Sequence, residues 1–372
     1  MSRFYCQNCL LPSSKPDLTF SEDGICSACQ AFAARSLIDW DDRAKQFQHL
    51  TIETRREARH RGSAYDCVVP VSGGKDSHYQ VITALDHGLR VLAVTAETDH
   101  LSDIGRRNLD NIAKLGCDHI EVKTNPVIRR KINRFTLETI GDISWAEHIT
   151  IFSIPVREAS LRKIPLIIWG ENPQHEYGGP AEAQKAIKLT QDWLNEFGGL
   201  NGLRVSDVEE TLGPIGDLYH YPELGNEPTE GIFLGQFFSW SGYDNAILAQ
   251  QHGFEFSKDP VEVSGFHYEN LDCGMTGIHD RLKWLKFGFG RGTDICSNLI
   301  RRGLMTRTDA IEHVKQWDGR FPLTYLGIPI GEILREIGMT GDEYLAVESM
   351  FANRDLFDIG PDGLAVPRFE IK

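Results

Sequence analysis

Six residues, Ser72-Gly73-Gly74-Lys75-Asp76-Ser77, follow directly on the apolar run Cys67-Val68-Val69-Pro70-Val71 and precede His78-Tyr79-Gln80-Val81-Ile82-Thr83-Ala84-Leu85. The first run reads as a strand and the last as a helix, so the chain has to turn within a Gly-Gly pair. A tight strand–turn–helix aims backbone N–H groups and the positive end of a helix dipole at one point, which makes a seat for an anion. The glycines let the backbone come close, Lys75 adds a point charge, and the Ser72 and Ser77 hydroxyls add donors. Asp76 makes sense beside an anion such as phosphate only if a Mg2+ ion lies between them. The spacing is shorter than that of the G-x-x-x-x-G-K-[ST] phosphate loop.

From Tyr65 onward, short apolar runs alternate with amphipathic stretches. The pattern predicts strands over 67–71, 91–95, 120–123, 166–169 and 232–236, with helices over 78–87, 104–115, 127–139 and 150–163. Such alternation specifies an α/β fold with a doubly wound parallel sheet. Ligands of these sheets bind where the strands end. The candidate residues are therefore Val71 with the 72–77 loop, Ala96 after the second strand, Gly170 and Glu171 after the fourth, and Trp240 after the fifth. The loop after the fourth strand continues through Asn172, Glu176 and Tyr177. Its acids, amides and glycines suit a sugar or Mg2+. Beyond about residue 257 the composition turns helical, with helices expected over 280–287, 294–302 and 308–317. Between the first two lies Lys286-Phe287-Gly288-Phe289-Gly290-Arg291, whose two cations could meet a phosphate or carboxylate. An ordinary helix cap at Gly288 fits the same residues.

Cys6-Gln7-Asn8-Cys9 and Cys26-Ser27-Ala28-Cys29 are two C-x2-C pairs separated by sixteen residues. That is structural-zinc spacing, because two knuckles complete a thiolate tetrahedron and leave no open coordination position. The chain then divides into a zinc-ribbon module over 1–35, a helical connector over 36–64, the α/β domain over 65–256 and a mainly helical C-terminal region over 257–372. The remaining cysteines, Cys67, Cys117, Cys273 and Cys296, lack paired spacing and read as core. No apolar run reaches the roughly 18 residues of a membrane span, and no signal-peptide pattern opens the chain, so a cytoplasmic protein without membrane insertion is expected. A formal charge of −14 weighs against a broad nucleic-acid footprint. The short basic clusters Arg55-Arg56, Arg129-Arg130-Lys131 and Arg301-Arg302 read as solvated helix faces.

The 72–77 loop resembles the S-G-G-x-D-S pyrophosphate loop (PP-loop) of the ATP-pyrophosphatases, which implies their HUP-like fold, ATP as substrate and Mg2+. Taken with the paired cysteines, Gly170-Glu171-Asn172, Glu176-Tyr177-Gly178-Gly179, Trp240 and the 286–291 segment, the chain resembles the N-acetyl sugar amidotransferases of bacterial surface-glycan biosynthesis (lipopolysaccharide O-antigen or pseudaminic-acid-type sugars). The resemblance implies conversion of a sugar acetamido group to an acetamidino group. Adenylation makes the amide oxygen a leaving group, and ammonia then displaces AMP. It assigns ATP binding to Val71, Ser72, Gly73, Gly74, Lys75, Asp76, Ser77, Ala96 and Gly170, and catalysis to Lys75, Asp76, Glu171 and Glu176. Substrate contacts fall to Asn172, Tyr177, Trp240, Lys286 and Arg291, and the acceptor would be a nucleotide sugar or nonulosonic acid.

The chain has Ser2 where an N-terminal glutaminase has its nucleophilic cysteine, and Leu115-Gly116-Cys117-Asp118-His119 lacks the second glycine of a G-x-C-x-G site. A separate glutaminase subunit is therefore expected to supply ammonia. The alternative is a PP-loop enzyme that thiolates or otherwise modifies tRNA. It would need reactive cysteines, and the acidic balance counts against it.

Overall fold

The computed structural model describes residues 3–171, 200–222 and 229–371. Asn172, Glu176 and Tyr177 lie outside the described residues. α1, at Ser27–Ala34, ends the cysteine module, and the connector that follows is helical, with α2 at Trp40–His60. A sheet is built from β1 (Cys67–Pro70), β2 (Val91–Ala96), β3 (Asp118–Val122), β4 (Leu166–Trp169) and β5 (Glu230–Phe233). Between the strands lie α3 (Lys75–Asp86), α4 (Asp103–Lys114), α5 (Pro126–Ile140) and α6 (Trp145–Leu161). The order is β3-β2-β1-β4-β5 and every pairing is parallel. This is the doubly wound α/β sheet that the alternation predicts. The strand order reverses between β1 and β4, and a crevice opens at such a point.

β1, β2 and β4 are buried on both faces, which is why they read as continuous apolar runs, whereas β3 at the sheet edge is half-exposed. The pleat sends alternate residues to opposite sides. Val69, Ala93 and Ile168 pack with Val81 of α3, Leu109 of α4 and Phe47 of α2. Val68, Leu92 and Ile167 face the other way, against Ile154 and Ala159 of α6. Each fully buried aliphatic side chain contributes about 1.5–3 kcal/mol. Arg129, expected on a solvated face, is buried instead. Its Nε lies 3.3 Å from Asp99 Oδ2, and its NH1 donates to Thr150 Oγ1 at 3.2 Å.

The C-terminal region carries helices Thr276–Phe287, Arg291–Arg301, Arg307–Trp317, Ile330–Glu336 and Gly341–Phe351. Helices Thr276–Phe287, Ile330–Glu336 and Gly341–Phe351 share one core with Leu137 and Ile143 from α5 and the turn after it. A second core joins helices Arg291–Arg301 and Arg307–Trp317 to Ala246 and Ala249 of helix Gly242–Gln251, and to Leu10 of the cysteine module. Backbone bonds stitch the loop ahead of Thr276 to the start of α4: Ser102 N donates to Asp272 O (2.8 Å) and Gly274 N to His100 O (2.9 Å). The segment from 269 to 273 is thereby held over the carboxyl ends of β1 and β2.

Candidate active site at the carboxyl edge of the sheet

After β1 the chain turns into α3 through Gly73, whose φ of +86° suits glycine. A Cβ there would sit 2.9 Å from Leu109 N, so no other residue fits. Ser77 Oγ accepts from Ser72 N (3.1 Å), and Ser72 Oγ accepts from Gly74 N at 3.4 Å. Both serines therefore shape the loop as well as face the ligand space. The first-turn N–H groups of α3 have no intrahelical partners and point out of the helix end.

Lys75 and Asp76 open a polar cluster. Lys75 Nζ donates to Asp76 Oδ2 (2.7 Å) and to Glu269 Oε2 (3.0 Å), and Asn245 Nδ2 donates to Asp76 Oδ1 (2.8 Å). Glu171, at the end of β4, completes it. Burial and then the neighbouring Asp76 carboxylate push the Glu171 carboxyl up to about 7. Burial also raises Glu269, against the pull of Lys75. Three carboxylates around one ammonium leave excess negative charge, and a hard divalent cation compensates such a set.

Two cavities meet at this cluster. One, of about 390 Å³, is lined by Val71, Ser72, Ser77, Ala96, Gly170 and Glu171, with Phe152, Trp169 and Phe233 on an apolar side. The other, of about 320 Å³, is lined by Lys75, Asp76, Glu171, Glu269, Lys283, Asp294 and Lys15. Asn270 and Arg291 border both. Trp240 packs its ring on Gly170 and borders a small recess with Lys75 and Asp76.

The two expected cations behave differently. Arg291 borders the cavities, but its fork is held by Asp280 through two bonds of 2.8 Å, so it is not open for a substrate carboxylate. Lys286 does not join the site: its Nζ donates to the carbonyls of Ile140 (2.6 Å) and Gly141 (2.9 Å), closing the end of α5. Gly288 ends its helix in the left-handed region, at φ +74°.

The far polar wall of the larger cavity was not expected. It consists of Ser144, Glu147, His148, Asp272, Cys273 and His279. Burial and then Glu147 push the Asp272 carboxyl up to about 6. Cys273 is therefore a cavity residue as well as a buried one. Burial, with Glu147 and Asp272 nearby, raises its thiol well above the ordinary range, which disfavours the thiolate a nucleophile needs. The loop Glu269-Asn270-Leu271-Asp272 has the same acid-and-amide composition as the loop after β4, a signal that could have singled it out.

Asp142 is buried, and its Oδ1 lies 3.0 Å from His279 Nδ1. Burial alone would raise Asp142, yet His279 holds it well below the usual carboxylate range. Burial lowers His279, and Asp142 more than restores it, leaving it above its ordinary value. The ionic part of this pair needs a charged Asp142 and a charged His279. It is therefore present above the unfolded carboxylate pKa of about 3.9 and fades as pH rises past the unfolded imidazole value of about 6.5 and through the folded one. Asp142→Asn is accordingly expected to lower Tm more at pH 5.5 than at pH 8.5, by about 2 °C or more. Calorimetry at the two pH values checks this, and equal losses would contradict it.

In the cysteine module, Cys6, Cys9, Cys26 and Cys29 are buried, unpaired by disulfides, and have Sγ atoms all within 4.8 Å of one another. Cys6 and Cys29 Sγ are 3.8 Å apart, and Cys9 and Cys26 Sγ 3.6 Å. A tetrahedron with metal–sulfur bonds of about 2.3 Å has edges of about 3.8 Å, so the set fits a tetrahedral metal. Asn8 Nδ2, Leu11 N and Cys26 N donate to the sulfurs of Cys29, Cys9 and Cys6 at 3.3–3.5 Å. That arrangement suits anionic thiolates.

Fold and site together define a doubly wound α/β protein with a Gly-Gly loop at its topological switch point and a four-thiol cluster. Residues 254–360 match the family model described as LPS biosynthesis protein WbpG-like, C-terminal domain. No curated protein sequence matches the chain. Among solved structures it is similar to NMN synthetase from Francisella tularensis, at 13% identity and a TM-score of 0.30, over 57% of this chain and 87% of that one. The fold assignment rests on the strand order and not on that likeness. Among the described residues, no helix is long and apolar enough to cross a membrane.

Proposed function

We propose that the protein is an ATP-dependent amidotransferase of cytoplasmic surface-glycan biosynthesis, forming AMP and pyrophosphate while converting a sugar acetamido group to an acetamidino group. One observation carries this reading. The 72–77 loop and Glu171 share a cavity with Asn270, Asp272, Cys273, His279 and Arg291, all of which lie within the stretch that matches the WbpG-like domain of lipopolysaccharide biosynthesis. The apolar side between Val71, Phe152 and Trp169 suits a nucleobase. The 72–77 backbone and Lys75 suit the phosphates, and the polar wall suits a hydroxyl-rich acceptor.

Asp76, Glu171 and Glu269 are the carboxylates that would hold Mg2+, which supplies charge neutralisation to the departing pyrophosphate. Lys75 stands beside them, placed to stabilise the same developing charge. No covalent enzyme nucleophile is required. The protein positions an amide oxygen against the α-phosphate and excludes water, so positioning and electrostatics carry the rate. Zinc at the four cysteines has a structural role. Ammonia comes from a separate glutaminase.

The test is incubation with ATP, Mg2+, ammonium and a panel of UDP-linked N-acetylhexosamines and N-acetylated nonulosonic acids. The expected product has oxygen replaced by NH by mass, with one AMP released per product. AMP release stimulated by bulk tRNA and by none of the sugars would overturn the reading in favour of tRNA modification.

A further inference from the structure

The polar wall opposite the 72–77 loop contains an arrangement that the proposed adenylation chemistry does not use. Asp142 lies in the turn between α5 and α6, and three further contacts fix it. Oδ1 accepts from Ser144 N (2.8 Å), Oδ2 accepts from Asn201 Nδ2 (2.9 Å), and His148 Nδ1 lies 3.8 Å from Oδ2. A carboxylate held in this way fixes the imidazole it faces. With Oδ1 at 3.0 Å, His279 Nδ1 carries the proton, and Nε2 is left with the lone pair. Among the described residues Nε2 has no hydrogen-bond partner, although the ring lines the cavity. The unit is a carboxylate and an oriented imidazole that lines the cavity and has an unpartnered basic nitrogen. That is the base half of a triad, without the nucleophile.

We propose that His279, oriented by Asp142, is the general base of the acceptor half of the cavity and takes a proton at Nε2 from the nitrogen that attacks the activated acceptor carbon. This rests on the amidotransferase function proposed for the same cavity. The lone pair of ammonia forms the C–N bond, and one proton of that nitrogen passes to Nε2. The C–O bond then breaks with its electron pair leaving on AMP, and the proton returns to the more basic amidine. Glu171 is less suited to the task, because it stands in the Lys75–Asp76–Glu269 cluster at the pyrophosphate end. The groups that set the proton affinity of His279 come from each neighbouring element: Asp142 and His148 on the α5–α6 side, Asp280 on its own helix, and Arg291 on the next. Their balance holds the imidazole above its ordinary value, so the neutral form that accepts the proton gains population as pH rises.

The experiment compares two rates in the full-length protein with the same sugar panel, ATP and Mg2+. Acceptor-dependent exchange of labelled pyrophosphate into ATP reports adenylation, and amidine formation with ammonium reports the nitrogen step. His279→Gln is expected to lower amidine formation by about 100-fold or more, at least thirty times more than it lowers exchange, and to erase the acid limb of the pH profile. Asp142→Asn, acting through His279, is expected to shift that limb. Equal losses of both rates in His279→Gln, or no loss of either, at unchanged Tm, would overturn the dyad and leave the amidotransferase reading standing. A wild-type protein with neither exchange nor amidine formation on any of the sugars would overturn that reading, and the assignment of His279 with it.

Discussion

Asp76→Asn is expected to lower AMP formation by on the order of 10²–10³-fold or more, the loss typical of removing one preorganised electrostatic contact to developing charge. Asp76 sits in the first turn of α3 and is the carboxylate of the 72–77 loop. Its oxygens already receive Lys75 Nζ and Asn245 Nδ2, at 2.7 and 2.8 Å. An amide can accept only one of those bonds, and its own N–H groups would then face a donor. The substitution also removes one of the three charges that a divalent cation would require. The cost to the fold is small, because an acid in the first turn of a helix contributes only about 0.3–1 kcal/mol. Asp76 is also partly exposed, which screens its pairing with Lys75. Activity and stability should therefore separate: chromatography of AMP shows the loss while the melting curve barely moves. Ordinary AMP formation by Asp76→Asn with sugar and ammonium would remove the loop from the reaction.

The legible parts of this site are those that local sequence controls. β1 and β4 are short apolar runs, and parallel sheets gather their ligands just past the carboxyl ends of the strands, so Ser72, Ser77, Gly170 and Glu171 are readable from the sequence alone. Boundaries slipped where burial erased the pattern. α6 begins at Trp145 and not at Thr150: Trp145, Ala146 and Ile149 are buried, and the polar residues of its first turn, Glu147 and His148, line the cavity, so no solvent-facing stripe marks the start. β5 ends at Phe233, and the apolar residues beyond it turn through a short 3-10 helix at Leu234–Gln236. Lys286 and Arg291 illustrate the opposite case. Both are cations beside glycines, and only distant partners separate them: the carbonyls of Ile140 and Gly141 for one, Asp280 for the other. Asp142 and His279 are 137 residues apart and carry no shared motif, so only the packing of the C-terminal helices on α5 brings them together.

Removing the metal from the four-cysteine module is expected to have the largest effect on stability. The protein prepared without chelator should contain one zinc per chain, and Cys26→Ser should contain none. Structural zinc in small modules is worth about 10–16 kcal/mol of folding free energy, because the apo module has little else to hold it. Here the module is also fastened to the rest of the chain. Arg307 NH1 donates to the carbonyls of Cys6 and Cys9, Ser14 Oγ donates to Phe287 O at 2.6 Å, and Leu10 enters the C-terminal core. Between the two cysteine pairs, Lys15 reaches the cavity lined by Lys75, Asp76 and Glu171. Opening the module would expose that core and withdraw Lys15 together. Chelation should therefore lower Tm by about 10 °C or more, since even a few kcal/mol moves a chain of this size by several degrees, and AMP formation should fall with it. Lys15→Ala separates the two effects. It should leave zinc content and Tm unchanged and alter only the kinetics, whereas a module that merely decorates the surface would leave kinetics untouched in Lys15→Ala as well. Protein isolated without chelator that contains no zinc, and whose melting curve is indifferent to Cys26→Ser, would rule out a structural metal at these four thiols.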